Sequence, residues 1–224
     1  MPDDATSAPA DQGPASIKPI LIVPVIIITC VAGVALALVN EVTKGPIAES
    51  KKMAKAEALG AVLPAFENDP TSDLHEVALD PETYTEAGGN PLTFYAGRDA
   101  GGALTGWGIE SAVESGYSGY FSLVFGIDPE GRVQKVQILE QRETPGLGTK
   151  VCAEDWLAQY EGKSLADFQF TVAKDGGDVD AITGATISSR AVSRCIEQGL
   201  QEFDANFKGQ DPGPAAPPAE EGGE

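Results

Sequence analysis

The sequence predicts an α+β protein: a single N-terminal transmembrane helix, then an antiparallel-sheet domain with flanking helices. Three observations predict it. Residues 20–39 run without one charge, and at ~1.5 Å rise per residue such a helix matches a hydrocarbon core of ~30 Å. Two apolar runs, 119–127 and 132–139, flank the turn sequence Asp128-Pro129-Glu130-Gly131 and read as a hairpin. Val192, Ile196, Leu200 and Phe203 recur at helical spacing near the C-terminus.

Taken in order, residues 1–16 are rich in Pro, Ala and Asp without periodicity and read as a disordered tail. Residues 17–42 hold the membrane helix. Pro24 lies near its start, where a missing donor costs least, and Gly33 is tolerated in lipid. A cleaved signal peptide is the rival reading, because Ala35-Leu36-Ala37 resembles a cleavage site. The run is longer than the roughly 7–15 apolar residues of a signal core, and only Lys18 precedes it. A retained anchor is therefore expected. Lys44, Lys51, Lys52 and Lys55 follow the span, so lysine placement alone puts the large domain in the cytoplasm.

Residues 43–66 read as a membrane-proximal helix, with Met53, Ala56, Leu59, Val62 and Leu63 on one face and Pro64 as its stop. Residues 67–207 form the folded domain. Its first third is polar, with a strand at Leu92-Thr93-Phe94-Tyr95. After the hairpin, a short helix over 153–160 presents Trp156, Leu157 and Tyr160. A last helix over 188–203 carries the apolar stripe, with Cys195 and Gly199 beside it. Residues 208–224 read as a disordered acidic tail.

The chain has 224 residues, 42% of them hydrophobic, enough for one domain with a core plus accessory segments. The formal charge of −19 argues against nucleic acid, whose phosphates need Lys and Arg. Cys30, Cys152 and Cys195 form no CxxC pair, so no cluster motif or disulfide framework is written here. Cys152 and Cys195 read as small buried residues, with pairing between them left open. The lone His75 reads as a surface residue, which excludes a histidine-based metal site or catalytic triad.

Two loops carry the candidate chemistry. In Asp180-Ala181-Ile182-Thr183-Gly184-Ala185-Thr186, a glycine permits a tight turn directly before a helix. Free N–H groups and the positive dipole end there suit a phosphoryl group beside the Thr186 hydroxyl. The plain alternative is that Thr186 caps the helix. In Glu143-Thr144-Pro145-Gly146-Leu147-Gly148-Thr149, glycines and hydroxyls could line a flat ligand, with Leu147 on its face. The plain alternative is a loop closing a strand.

Together, these loops, Gly116-Tyr117-Ser118-Gly119 and the strand pair through Leu139 resemble the G subunit of the Rnf electron-transport complex. They are similar, more distantly, to the C subunit of the sodium-translocating NADH:quinone reductase. The resemblance implies an FMN-binding domain with FMN joined by a phosphoester to Thr186. A flavin transferase would make the bond from FAD, reading Asp180, Thr183, Gly184, Ala185 and Thr186. Glu143, Thr144, Leu147, Gly148, Thr149, Thr183, Gly184 and Ala185 would approach the cofactor. Gln141 stands where relatives often carry His and receives no role. Thr183 replaces a frequent Ser and keeps the hydroxyl.

The implied function is electron relay within an ion-translocating ferredoxin:NAD oxidoreductase, alongside other Rnf subunits, not stand-alone catalysis. The implied place is the bacterial or archaeal cytoplasmic membrane, with the C-terminal domain on the extracytoplasmic side, against the lysine count. A flavin-free anchored binding module and a self-sufficient anchored reductase are the alternatives. Trp107, Tyr117 and Tyr120 are open between a place near the flavin and a place in the core.

Overall fold

The computed structural model describes residues 19–79 and 91–215. The chain divides into two units, Met1–Lys51 and Lys52–Glu224. In the first, helix α1 begins at Pro19, and it runs on to Val62. Its apolar side chains, among them Val25, Ile28, Leu36 and Val42, are exposed. Among the described residues, this is the one helix long and apolar enough to cross a membrane. The expected helices over 17–42 and 43–66 are thus one continuous element, which stops at Val62, two residues before Pro64.

The second unit is built on five antiparallel strands in sequential order: β1 (Leu74–Val77), β2 (Leu92–Arg98), β3 (Leu104–Gly116), β4 (Gly119–Ile127) and β5 (Val133–Gln141). Sequential hairpins explain the simple order, since neighbouring strands joined by short turns pair directly. On one face lies α3 (Thr186–Asn206), whose Val192, Ile196, Leu200 and Phe203 join Phe94, Ile109, Phe121, Leu123 and Phe125 in the main core. The short helix α2 (Glu154–Leu157) and a 3-10 turn (Ala158–Tyr160) cover the region expected to form one helix. Tyr160 is buried there, its ring stacked on Phe170 and its hydroxyl 3.0 Å from Ser193 Oγ on α3.

On the opposite face, the last turns of α1 bury Ala58, Leu59 and Val62 against Tyr95 and Val124. Glycines make this contact possible. A Cβ on Gly108 would lie 2.6 Å from Leu59, and one on Gly126 would lie 1.8 Å from the Val62 carbonyl oxygen. Lys55 Nζ pairs with Glu110 Oε2 at 2.8 Å, and Tyr95 donates to the same oxygen at 2.7 Å. Burial and the Glu110 carboxylate hold the Tyr95 hydroxyl firmly protonated.

Two expectations from composition need correction. His75 is not a free surface side chain: its ring sits 5.6 Å from Trp107 and 5.7 Å from Phe207. Its Nε2 is 3.4 Å from Asp73 Oδ1. Nor is the segment after 208 a loose tail as far as residue 215. Arg98 is buried, donates to Asp73 Oδ2 at 2.7 Å, and grips Asp211 through two bonds of 2.8 Å. The Ala215 N–H donates to Asp73 Oδ1 at 2.8 Å. A Pro-, Gly- and acid-rich stretch looks unfoldable by composition, but here its Asp211 answers a buried cation. The parts of the expected tails over residues 1–16 and 216–224 lie outside the described residues.

Candidate functional site

The two loops singled out in the sequence meet. The first leaves β5 at Gln141, whose side-chain oxygen accepts the Glu143 N–H at 2.5 Å. Glu143 is buried, at 6% exposure. The Leu147 N–H then donates to the Thr144 carbonyl oxygen at 3.2 Å, and the Gly146 N–H to Thr149 Oγ1 at 3.0 Å. The loop is a braced turn that leaves Leu147 exposed at its tip and passes into a 3-10 segment, Gly148–Cys152.

The second loop is fixed from below. Trp156 Nε1 donates to the Asp180 carbonyl oxygen at 2.7 Å, and the Asp180 N–H donates to Gln159 Oε1 at 2.9 Å. Gly184 takes a φ of +82°, a left-handed conformation that suits glycine. Ser189 Oγ accepts from the Ile182 N–H at 3.1 Å and donates to the Ala185 carbonyl oxygen at 3.0 Å, which clasps the turn onto α3. Thr186 is the first residue of α3. The preceding Ala185 occupies the cap position without a side-chain cap bond. Thr186 thus follows the cap position and does not occupy it.

Between the loops lies a groove of about 500 Å³, lined by Glu143, Thr144, Leu147, Gly148, Gly184, Ala185 and Thr186 together with four others: Tyr117, Lys174, Ile187 and Ser188. The contact is close, since a Cβ on Gly184 would lie 3.7 Å from a Leu147 methyl. Three sequence candidates do not line it. Thr149 braces the first loop, while Thr183 and Asp180 are exposed beside the second. The open aromatics separate as well: Trp107 is fully buried in the core, Tyr120 is half-buried, and Tyr117 is exposed on the groove. Ser188 could have been found at sequence level as the third helical residue after Ala185. Lys174 had no local signal, because only the chain's return at Val179 brings it alongside.

The floor of the groove is polar and unsatisfied. Glu143 Oε2 and Ser188 Oγ are both buried without a hydrogen-bond partner among the described residues. Both border Gly148, where a Cβ would lie 2.4 Å from Glu143 Oε2 and 3.0 Å from Ser188 Oγ. Buried polar atoms without partners cost about 1–3 kcal/mol each, so a ligand that hydrogen-bonds both is favoured there. Beside Ser188, the start of α3, which has no side-chain cap, offers free N–H groups and a positive dipole end to an anion. A ring system with polar edges, linked to a phosphate, fits this donor and acceptor set. Cys152 lies nearby. Burial first, and the Glu143 carboxylate second, push its thiol pKa upward. The three cysteines are unpaired.

Comparisons with known proteins give a family. Residues 116–201 match the FMN-binding domain family, a span that contains both loops. The G subunit of the ion-translocating oxidoreductase complex of Cereibacter sphaeroides is 34% identical over 90% of this chain and 93% of its own length. The G subunit of the Na(+)-translocating ferredoxin:NAD(+) oxidoreductase complex of Acetobacterium woodii is 33% identical over 79% of this chain and 86% of its own. The crystal structure of Shewanella oneidensis NqrC superposes with a TM-score of 0.42 at 25% identity, over 55% of this chain and 63% of that one. That last overlap takes in less than two thirds of the solved chain and is too loose for residue-level comparison. With sequence identity held across nearly the full length of the first relative, the chain belongs to the family of G subunits of ion-translocating oxidoreductase complexes.

Proposed function

We propose that the protein is the membrane-anchored electron relay of an ion-translocating ferredoxin:NAD oxidoreductase, carrying FMN through a phosphoester on Thr186. The observation that carries this reading is the meeting of the two loops in one groove, with Thr186 at the uncapped start of α3. When bound, FMN supplies the redox chemistry, and the protein supplies position and electrostatics. Glu143 and Ser188 offer hydrogen bonds on the groove floor, and Leu147 offers an apolar surface. The α3 N–H groups would hold the phosphate.

Attachment balances as a transfer from FAD. The Thr186 hydroxyl oxygen forms the new bond to the phosphorus nearer the flavin, the bond between that phosphorus and the oxygen bridging the two phosphorus centres breaks, adenosine monophosphate departs, and the hydroxyl proton goes to solvent. A flavin transferase performs this step. The exposed Asp180 and Thr183 are where such an enzyme can read the loop without entering the groove. A covalent bond keeps the cofactor in a shallow site, where an exposed edge can exchange electrons with neighbouring subunits of the complex. α1 anchors the chain, and the domain works on the extracytoplasmic side.

The test is co-expression with a flavin transferase, denaturing gel electrophoresis and ultraviolet illumination of the band. Wild type is expected to fluoresce and T186A to be dark. A dark wild type sinks the reading and leaves a flavin-free anchored binding module. A periplasm-sensitive reporter fused to the C-terminus checks the side of the membrane; activity only in the cytoplasm would reverse that assignment.

A further inference from the structure

The groove lining contains a single cation, Lys174, and the motif residues give it no part. Its position is built. Lys174 sits in a 3-10 turn, Ala173–Asp175, whose ends are tied down: the Ala173 N–H donates to the Val179 carbonyl oxygen at 2.9 Å, and the Asp175 N–H to that of Val172 at 2.8 Å. Val172 and Val179 form an isolated bridge, so the turn is tethered to the strand-like segment that leads into Asp180.

The same turn is clamped to α3. Arg190, one helical turn after Thr186, donates to Asp175 through Nε at 2.6 Å and Nη2 at 3.0 Å. The hydrogen bond from Arg190 is the main cause of a lowered Asp175 pKa. Asp178, the other acid of this turn, accepts the Gln169 N–H at 2.9 Å. Asp175 and Asp178 take their hydrogen bonds from Arg190 and Gln169, and the Lys174 ammonium acts on Asp175 only through its field, as the last of the causes that lower the Asp175 pKa. An exposed cation on a braced turn, a buried Ser188 hydroxyl without a partner among the described residues, and Thr186 then share one groove. In a chain of charge −19, Lys174 adds the one full positive charge of the lining to the partial charge of the α3 N-terminus.

We propose that Lys174 is the cation that holds the phosphate joined to Thr186, so that the groove accepts a flavin bearing a 5′-phosphate in preference to one without. The Asp175–Arg190 pair positions it by tying its turn to the helix that begins with Thr186. This rests on the assignment of Thr186 as the attachment point.

The test uses the full chain, co-expressed with a flavin transferase and purified in detergent, as wild type, K174M, K174R and the remote control K208M. Loading is followed by in-gel fluorescence and intact mass, and the attached phosphate by its phosphorus-31 resonance. K174M is expected to slow loading about tenfold, as loss of one charged hydrogen bond would. Its phosphorus line is expected to move by more than its width. K174R should keep both near wild type, and K208M should change neither. If K174M stays unloaded, binding of free FMN to the unloaded proteins decides: weaker binding by K174M than by wild type and K174R supports the proposal, and equal binding overturns it. A K174M phosphorus line coincident with wild type overturns it even if loading slows, because the lysine would then act through the transferase. Equal failure of K174M and K174R overturns it too. A wild type without flavin refutes the Thr186 assignment instead.

Discussion

Replacing Asp211 with Asn asks whether the C-terminal segment belongs to the fold. Arg98 has a side chain only 6% exposed, and it faces two carboxylates, Asp73 and Asp211. Asp211 itself is 44% exposed, so its share of the interaction is screened. Breaking a fully buried ion pair costs about 3–5 kcal/mol, while an exposed pair contributes about 0–1 kcal/mol. The intermediate burial here places D211N near 2 kcal/mol, which for a domain of this size lowers the melting temperature by about 4–8 °C. Tryptophan fluorescence of the full chain in detergent reads this directly, because the Trp107 ring lies 4.8 Å from that of Phe207. The pH dependence has a defined sign. The hydrogen bond from Arg98 lowers the Asp211 pKa from 3.8 to about 2. A carboxylate depressed in the folded state stabilises above its unfolded pKa and loses that contribution as pH falls through the folded one. The difference between wild type and D211N should hold at neutral pH and shrink between about 4 and 2. Coincident melting at neutral pH would refute the reasoning and show that Asp73 alone satisfies Arg98.

Two further outcomes are expected. G126A puts a methyl group where the Val62 carbonyl oxygen would be 1.8 Å away, so the last turn of α1 must lift from the sheet at a cost of about 1–3 kcal/mol; limited proteolysis between Val62 and Glu67 should speed up, and unchanged cleavage and melting would count against the packing described. Cys195 is fully buried, and burial pushes its pKa up to about 12; since the thiolate is the reactive form, mass spectrometry after maleimide treatment near neutral pH should find Cys195 unmodified until unfolding and the half-buried Cys152 slowly modified, whereas equal labelling of both would contradict the core assignment.

Some of the site could be read directly. Thr186, Gly184 and Ala185 stand in a short motif whose turn and following helix are local in sequence, and local chemistry is what a sequence displays. Glu143, Leu147 and Gly148 lie in an equally local loop. Lys174 and Tyr117 could not be read this way: the Lys174 turn is brought to the groove by the Asp175–Arg190 pair, and Tyr117 by the placement of the β3–β4 turn beside the two loops. Ser188 was legible as a helical position but not as a buried, unpartnered hydroxyl.

The sequence by itself determined the apolar span, the hairpin of β4 and β5, the amphipathic α3 and the two loops, because each is a pattern of neighbours along the chain. It hid β3, the central strand, whose Gly106, Gly108, Ser111 and Glu110 break the apolar alternation that marks a strand. Only the tertiary structure decided that strand, since Gly108 is the floor on which Leu59 of α1 packs and Gly106 lies against Pro64. It also decided the fate of Asp211, whose charge has meaning only beside the buried Arg98, and the convergence of Lys174 with Thr186. Those relations join residues distant along the chain, and burial, the cause in each case, exists only once the chain has closed on itself.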